Sequence, residues 1–268
     1  MRRPREVSDT GLDPAGAQTG PAAAAWTGSA EAGRTGFAAA GWTRPAKVGG
    51  AGFAEVVDLT RPLFSGMPVF PGDPPVSVLG VRTHAKDGYQ VSQICLGSHS
   101  GTHIDAPRHF FPSGRPLDDF PASSFVGRGL IVDARPAGAH RTAGTAGGPT
   151  PVFLDVVDLA DRLQPFELRS GDFVLLWTEG AFLTEDAARL LLAAGVSLVA
   201  TDGDSLDPRD DPDSKGYPVH NLLLGHDVLL VEGLCNLERL GPGPATCAFL
   251  PLAIAGADGA PIRAVAWR

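Results

Sequence analysis

Four ionisable side chains, His99, His103, Asp105 and His109, fall within eleven residues of a 268-residue chain that holds only seven histidines. Imidazole and carboxylate together are the ligand set of zinc, manganese or ferrous iron, and the lack of nearby thiolates argues against a closed structural zinc site. Taken singly, each of these residues could cap a turn or face solvent. Taken together, burying several of them is costly unless a metal ion or catalysis compensates. His109 adds a group that titrates near neutrality and can carry a proton, or can serve as a further ligand.

The spacing constrains how the chain must run. An ideal strand, at about 3.3 Å per residue, would set His99 and His103 roughly 13 Å apart, too far to share an ion. An ideal helix brings i and i+4 together but turns Asp105 about 200° from His103. The segment must therefore bend, with Gly101 supplying backbone freedom and Pro107 ending any helical turn.

The elements around this run read as α/β. Strand-like segments are expected at Glu55–Leu59, near Val76–Val81 and Gln90–Leu96, and at Gly129–Asp133, Asp172–Trp177, Val196–Ala200, Asp227–Val231, Cys247–Ile254 and Ile262–Ala266. Helices are expected over Asp155–Leu163 and from an N-cap at Thr184 to about Ala194, with Glu185 and Asp186 in the first turn and Gly195 as the stop. Gly138–Pro149 reads as a loop. Residues 1–52 are dominated by Ala, Gly, Thr and Pro and are expected to form a disordered arm ahead of a single domain at 53–268.

Composition narrows the function. A hydrophobic content of 43% supplies an ordinary core, and the net charge of −8 comes without a basic patch, so nucleic acid is not an expected partner. No apolar run is long enough to cross a membrane and no secretory signal pattern is present, so a cytoplasmic location is expected. Cys95, Cys235 and Cys247 lack metal or redox spacing and read as small core residues. There is no phosphate-binding loop, and Gly97-Ser-His-Ser-Gly101 places His where a nucleophile elbow needs Ser.

The run His99-x-Gly101-Thr102-His103-x-Asp105-x-Pro107-x-His109 matches the H-x-G-T-H-x-D-x-P-x-H signature of the cyclase-like metal-dependent hydrolases, a family that includes bacterial kynurenine formamidase and isatin hydrolase. The resemblance extends from about residue 55 to the end. Asp58-Leu-Thr and Met67–Asp73 look like the family's N-terminal segment, and Gly195–Pro208 and Tyr217–Leu237 look like its second half. It implies a swivelling β/β/α fold with a mixed sheet and a homo-oligomer, most simply a dimer. It also implies that His99, His103 and Asp105 bind a first divalent ion. Asp105 would bridge to a second bound by His220 and Glu232, which have the family's twelve-residue spacing; without the resemblance they read as a helix-end residue and a solvated strand end. His109 resembles the family's acid/base, and Phe70 an aromatic position that lines the substrate pocket. The ion would be zinc or manganese, in one copy or two. Asp202, Asp204 and Asp207 depart from the family's Gly-x-Asp-Thr-x-Ser-x-Asp pattern and are held as substrate-side or ligand-supporting candidates, with turn capping the simpler role. His84, His140 and His226 read as bystanders.

The activity so implied is hydrolysis of a C–N amide bond in a small aryl formamide or cyclic amide by metal-activated water. Lactone hydrolysis or a cyclase/dehydratase reaction on the same site is the alternative among enzymes. A metal-dependent binding protein without turnover is the alternative outside them, and an intact His109 speaks against it.

Overall fold

The computed structural model describes residues 55–136, 151–208 and 216–268. The alanine-rich arm, the domain boundary at 52/53, the loop expected at Gly138–Pro149 and His140 lie outside the described residues.

Twelve strands and four α-helices are described, and one large mixed sheet organises them. Its strands are β1 (Val57–Asp58), β4 (His103–Asp105), β5 (Val126–Asp133), β7 (Phe173–Trp177), β9 (Leu198–Thr201), β10 (Leu229–Glu232), β11 (Gly243–Pro251) and β12 (Gly259–Trp267). The order is β1-β12-β11-β5-β7-β9-β10-β4, and β4 pairs back onto β12. Seven strands thus close into a barrel-like ring, with β1 outside the closure. The pairs β5–β7, β7–β9 and β9–β10 are parallel and the remainder antiparallel. The expectation of an α/β domain with a mixed sheet holds.

The two faces of the ring bury different clusters, as period-two alternation requires. Ile104, Ile131, Phe173, Leu175, Leu198, Val231, Cys247, Phe249 and Ala264 pack together on one face. Leu130, Val132, Val174, Leu176, Val199 and Leu230 face the other way, against Leu159, Leu191, Val219 and Leu223. Those four come from α2 (Val156–Leu163), α3 (Glu185–Ala193) and α4 (Pro218–Leu224). Each fully buried Leu, Ile or Phe here stabilises the fold by about 1.5–3 kcal/mol.

Local chemistry sets the helix ends. Asp155 caps α2 by accepting from the backbone N–H groups of Val157 and Asp158, both at 2.9 Å. Thr184 caps α3 through Ala187 N–H at 3.3 Å, as expected, and Gly195 follows with φ +75°.

Three expectations need correction. The strands assigned to Cys247–Ile254 and Ile262–Ala266 begin four and three residues earlier, at Gly243 and Gly259. Gly and Pro in these stretches read as strand breakers, yet Pro244 and Pro261 both take ladder positions, opposite Leu130 and His103. Pro107 opens a helical turn, the 3₁₀ segment Pro107–His109, instead of ending one, because its missing N–H costs nothing at a first helical position. Only Cys247 is a core cysteine, its thiol pushed up to about 12 by burial; Cys235 is half-buried and Cys95 is exposed.

Cys95 lies on a hairpin of β2 (Ser77–Arg82) and β3 (Val91–Cys95), which among the described residues pair with each other and with no other strand. The connecting turn contains the short helix α1 (His84–Asp87). Val78, Leu79, Val81, Val91 and Ile94 are all exposed on this ribbon.

Candidate metal centre

The bend demanded by the spacing is present. Gly101 adopts φ +67° in a turn, after which the chain enters β4, where His103 and Asp105 point to one side and Ile104 to the core. A Cβ on Gly101 would strain that backbone angle and would stand 2.7 Å from Leu63 Cδ2, so the exposed Leu63 side chain would have to swing aside. Thr102 fastens the turn: its Oγ1 donates to the Gly233 carbonyl at 2.6 Å and accepts from the Arg61 N–H at 2.9 Å.

β10 brings the distant partner. Glu232 is in register with His103 across the antiparallel β4–β10 ladder, so their side chains share a face. Helix α4 packs on that face and carries His220 on its buried side. His103, Asp105, His220 and Glu232 are all buried, and His99 is nearly so. Without the resemblance, His220 and Glu232 would have been misplaced on the surface.

The polar atoms converge on Asp105. One of its oxygens, Oδ1, lies 2.7 Å from His99 Nδ1 and 3.4 Å from His103 Nε2; the other, Oδ2, lies 3.8 Å from His220 Nε2. Glu232 Oε1 is 3.1 Å from His220 Nε2, and its Oε2 is 3.6 Å from His103 Nε2. Two overlapping sets, His99/Asp105/His109 and His103/Asp105/Glu232, each bring their ligand atoms within 4.8 Å of one another, with Asp105 common to both. Three imidazole nitrogens and two carboxylates at this spacing fit a divalent cation, and a carboxylate whose two oxygens face different imidazoles fits a bridge between two.

The charges explain how five such groups share a buried space. Burial opposes a charged His99, but Asp105 and the hydrogen bonds to Asp105 and Asp258 outweigh it and raise its pKa to about 10. His220 likewise rises to about 10, burial being overcome by hydrogen bonds to Asp207 and Glu232. Burial acts to raise the Asp105 carboxyl, yet His103 and His99 hold it well below the usual carboxylate range. His109 moves the other way: burial lowers it, Asp105 offsets this only in part, and His99 and His220 lower it further.

His109 sits beside this cluster, its ring 3.8 Å from that of His99, and about a third of its side chain is exposed. It is therefore at the mouth of the centre. Phe110 stacks on His220 at 5.1 Å. Phe70 is half-buried in the segment before the hairpin, where its carbonyl accepts from Asp73 N–H at 3.0 Å.

The acidic loop divides into three roles. Asp202 accepts from Thr178 and Glu179 N–H at 2.7 and 3.0 Å and holds that turn. Asp204 pairs with Arg61 at 2.6 Å. Asp207 is buried and accepts from Val219 N–H, His220 N–H and His220 Nδ1–H at 3.1, 3.0 and 2.7 Å. It therefore satisfies the first turn of α4 and orients the His220 ring. One contributor was missed altogether: Asp258, whose Oδ2 lies 2.9 Å from His99 Nε2 and 3.8 Å from His109 Nδ1. It stands in Gly-Ala-Asp-Gly, which reads as an ordinary turn, so no local signal marked it.

A family model described as "Putative cyclase" matches residues 57–208. The chain is 34% identical over 218 residues to the kynurenine formamidase of Salinibacter ruber, covering 78% of this chain and 96% of that protein. It is 29% identical over 224 residues to that of Bacillus cytotoxicus, covering 79% and 97%. Isatin hydrolase A from Labrenzia aggregata has the same fold, with a TM-score of 0.68 at 23% identity over 80% of this chain and 93% of that one. A structure described as a potential metal-dependent hydrolase with cyclase activity superposes with a TM-score of 0.59 at 26% identity over 79% and 96%. The chain belongs to the cyclase family. Its fold is the cyclase-like mixed α/β domain that the H-x-G-T-H-x-D-x-P-x-H signature implied.

Proposed function

We propose that this protein is a metal-dependent hydrolase that cleaves the C–N amide bond of a small aryl formamide or cyclic amide, with N-formylkynurenine as the first substrate to test. The observation that carries the reading is the convergence of His99, His103, His220 and Glu232 on Asp105, with His109 beside them at the solvent-facing side. The relatives at 34% and 29% identity are kynurenine formamidases.

His99, His103 and Asp105 would hold a first ion, and Asp105, His220 and Glu232 a second. A divalent cation there would supply Lewis-acid polarisation of the carbonyl and activation of the attacking water. Of the ions that suit imidazole and carboxylate without thiolate, zinc and manganese are the two proposed here. His109 accepts the proton of the attacking water and returns it to the leaving nitrogen. Its Nδ1 faces Asp258, which leaves Nε2 for the transfer, and its lowered pKa keeps the ring neutral at pH 7 so that it can accept. Phe70 lines the aryl pocket.

The site acts on a small molecule within a cytoplasmic homodimer. The three cysteines are free, as a reducing compartment allows, and no helix among the described residues is long and apolar enough to cross a membrane. The exposed apolar hairpin β2–β3 supports self-association, because a lone two-stranded ribbon is marginal in water.

Cyclase or lactonase chemistry on the same centre is the second reading, favoured by the relative described as having cyclase activity. Metal content of the purified protein, followed by turnover of N-formylkynurenine, isatin and simple lactones before and after chelation, separates these readings. Stripped protein that folds and hydrolyses as fast as the native form would overturn the proposal.

A further inference from the structure

The three imidazoles that face the centre do not offer it the same nitrogen. His103 donates Nδ1–H to the Gly101 carbonyl at 2.9 Å, and His220 donates Nδ1–H to Asp207 at 2.7 Å, so both turn Nε2 inward. His99 is reversed. Its Nε2 meets Asp258 Oδ2 at 2.9 Å, and its Nδ1 points at Asp105 Oδ1 at 2.7 Å.

A neutral imidazole has one N–H and one lone pair, and an ionised carboxylate can only accept. Whichever nitrogen the outer carboxylate engages therefore carries the proton, and the other is left for the ion. We propose that Asp258 is the positioning residue of the first metal subsite: it fixes His99 in the Nε2–H tautomer and makes His99 an Nδ1 ligand, opposite in sense to His103 and His220. This rests on the metal-centre reading above and extends it to a residue outside the signature.

The surroundings of Asp258 are built for the task. Its carboxylate also accepts from Ser98 Oγ at 3.2 Å, from the residue immediately before His99. Its main-chain carbonyl accepts from Ala106 N–H at 2.9 Å, which ties it to the end of β4 next to Asp105. The following residue, Gly259, stands opposite Asp105 in the ladder, and a Cβ there would lie 2.6 Å from His99 Cε1. The His99 ring thus rests against bare backbone with a carboxylate at its outer nitrogen. The pattern is the one expected of a ligand whose orientation must be set before the ion arrives.

Two measurements test this. Long-range ¹⁵N–¹H correlation spectra of zinc-loaded wild-type protein labelled in histidine should show His99 protonated at Nε2 and bound through Nδ1, and His103 and His220 the reverse. Zinc competition against a chromophoric chelator should show Asp258→Ala weakened by about 10–100-fold, the usual loss for an outer partner. Asp258→Asn, whose amide oxygen still accepts from Nε2–H, should recover most of that loss. His99 bound through Nε2, or Asp258→Ala binding zinc as tightly as wild type, would overturn the assignment while leaving the metal centre intact. Wild-type protein that takes up neither zinc nor manganese would overturn both.

Discussion

Gly259→Ala is a small change aimed at the join between the sheet and the metal centre. The added methyl would sit 2.6 Å from His99 Cε1, 3.1 Å from His99 Nδ1 and 2.9 Å from the Ile104 carbonyl oxygen. Carbon contacts settle at about 3.5–4.0 Å, so the overlap is close to 1 Å. The Ile104 carbonyl cannot retreat, because β4 is buried and paired on both sides. The His99 ring must move instead, stretching its bonds of 2.7 and 2.9 Å to Asp105 and Asp258. Overpacking of this kind costs about 1–3 kcal/mol. At about 2–4 °C per kcal/mol for a domain of this size, Tm of the metal-free protein should fall by about 2–12 °C. Zinc affinity should fall as well, by about tenfold or more, since a ligand is displaced. Gly80→Ala on the exposed hairpin, where nothing lies within 4 Å of the new methyl, is the control and should stay within about 0.5 kcal/mol of wild type. Thermal melts and chelator competition on both variants decide the matter. If Gly259→Ala matches the control in both, the His99 ring does not rest on β12 and the account of the site's support is wrong.

Other perturbations address single parts. His109→Ala should keep its bound ion and lose about 10²–10⁴ in kcat; metal analysis showing the ion lost with the ring would make His109 a ligand. Asp207→Ala leaves His220 Nδ1–H and two buried backbone N–H groups of α4 without their acceptor. It should lower stability by about 1–3 kcal/mol in a urea melt, whereas an unchanged midpoint would mean the helix end finds other partners. Metal affinity should rise with pH. His99 and His220, raised to about 10 in the metal-free protein, are both protonated at pH 7, so binding expels up to two protons and gains up to about 100-fold per pH unit below 10. Metal-free stability runs the opposite way: the contribution of these two rings is complete below about 6.5 and is lost as pH rises through 10. Calorimetry in buffers of different ionisation heat reads the proton count, and a count of zero would refute the charge assignment.

Legibility differed between residues for physical reasons. His99, His103, Asp105 and His109 could be read together because they are close in sequence and their spacing excludes both regular elements, which left a bend at Gly101 as the solution. Helix α3 was legible from the cap chemistry of Thr184 and the stop at Gly195. His220 and Glu232 meet the others only through cross-strand register and helix packing, more than a hundred residues away, so residue chemistry by itself pointed to exposed positions and only the family pattern found them. Asp207 was noticed as an acid but its task, holding α4 and His220 together, is visible only once the helix is placed. Asp258 and the first residues of β12 were lost for one shared reason. Gly259 and Pro261 resemble breakers, while the strand needs them where β4 and the His99 ring approach most closely.

The closing strand of the ring is three residues long, and two of the three are proposed metal ligands. His103-Ile104-Asp105 joins the edge of β10 to the edge of β12, extended by one residue at each end through the bonds of Thr102 and Ala106 to Ile262 and Asp258. A stave so short has few hydrogen bonds to hold it, and its release would turn a closed ring into an open sheet with two bare edges. His103 and Glu232 lie on opposite sides of that joint, and under the proposed assignment Asp105 would serve the ion of each, so the bound metal centre would work as a clasp as well as a reagent. Loss of the ion would then be felt first in the backbone, as faster amide exchange along β4 and as adhesive strand edges offered to neighbouring chains.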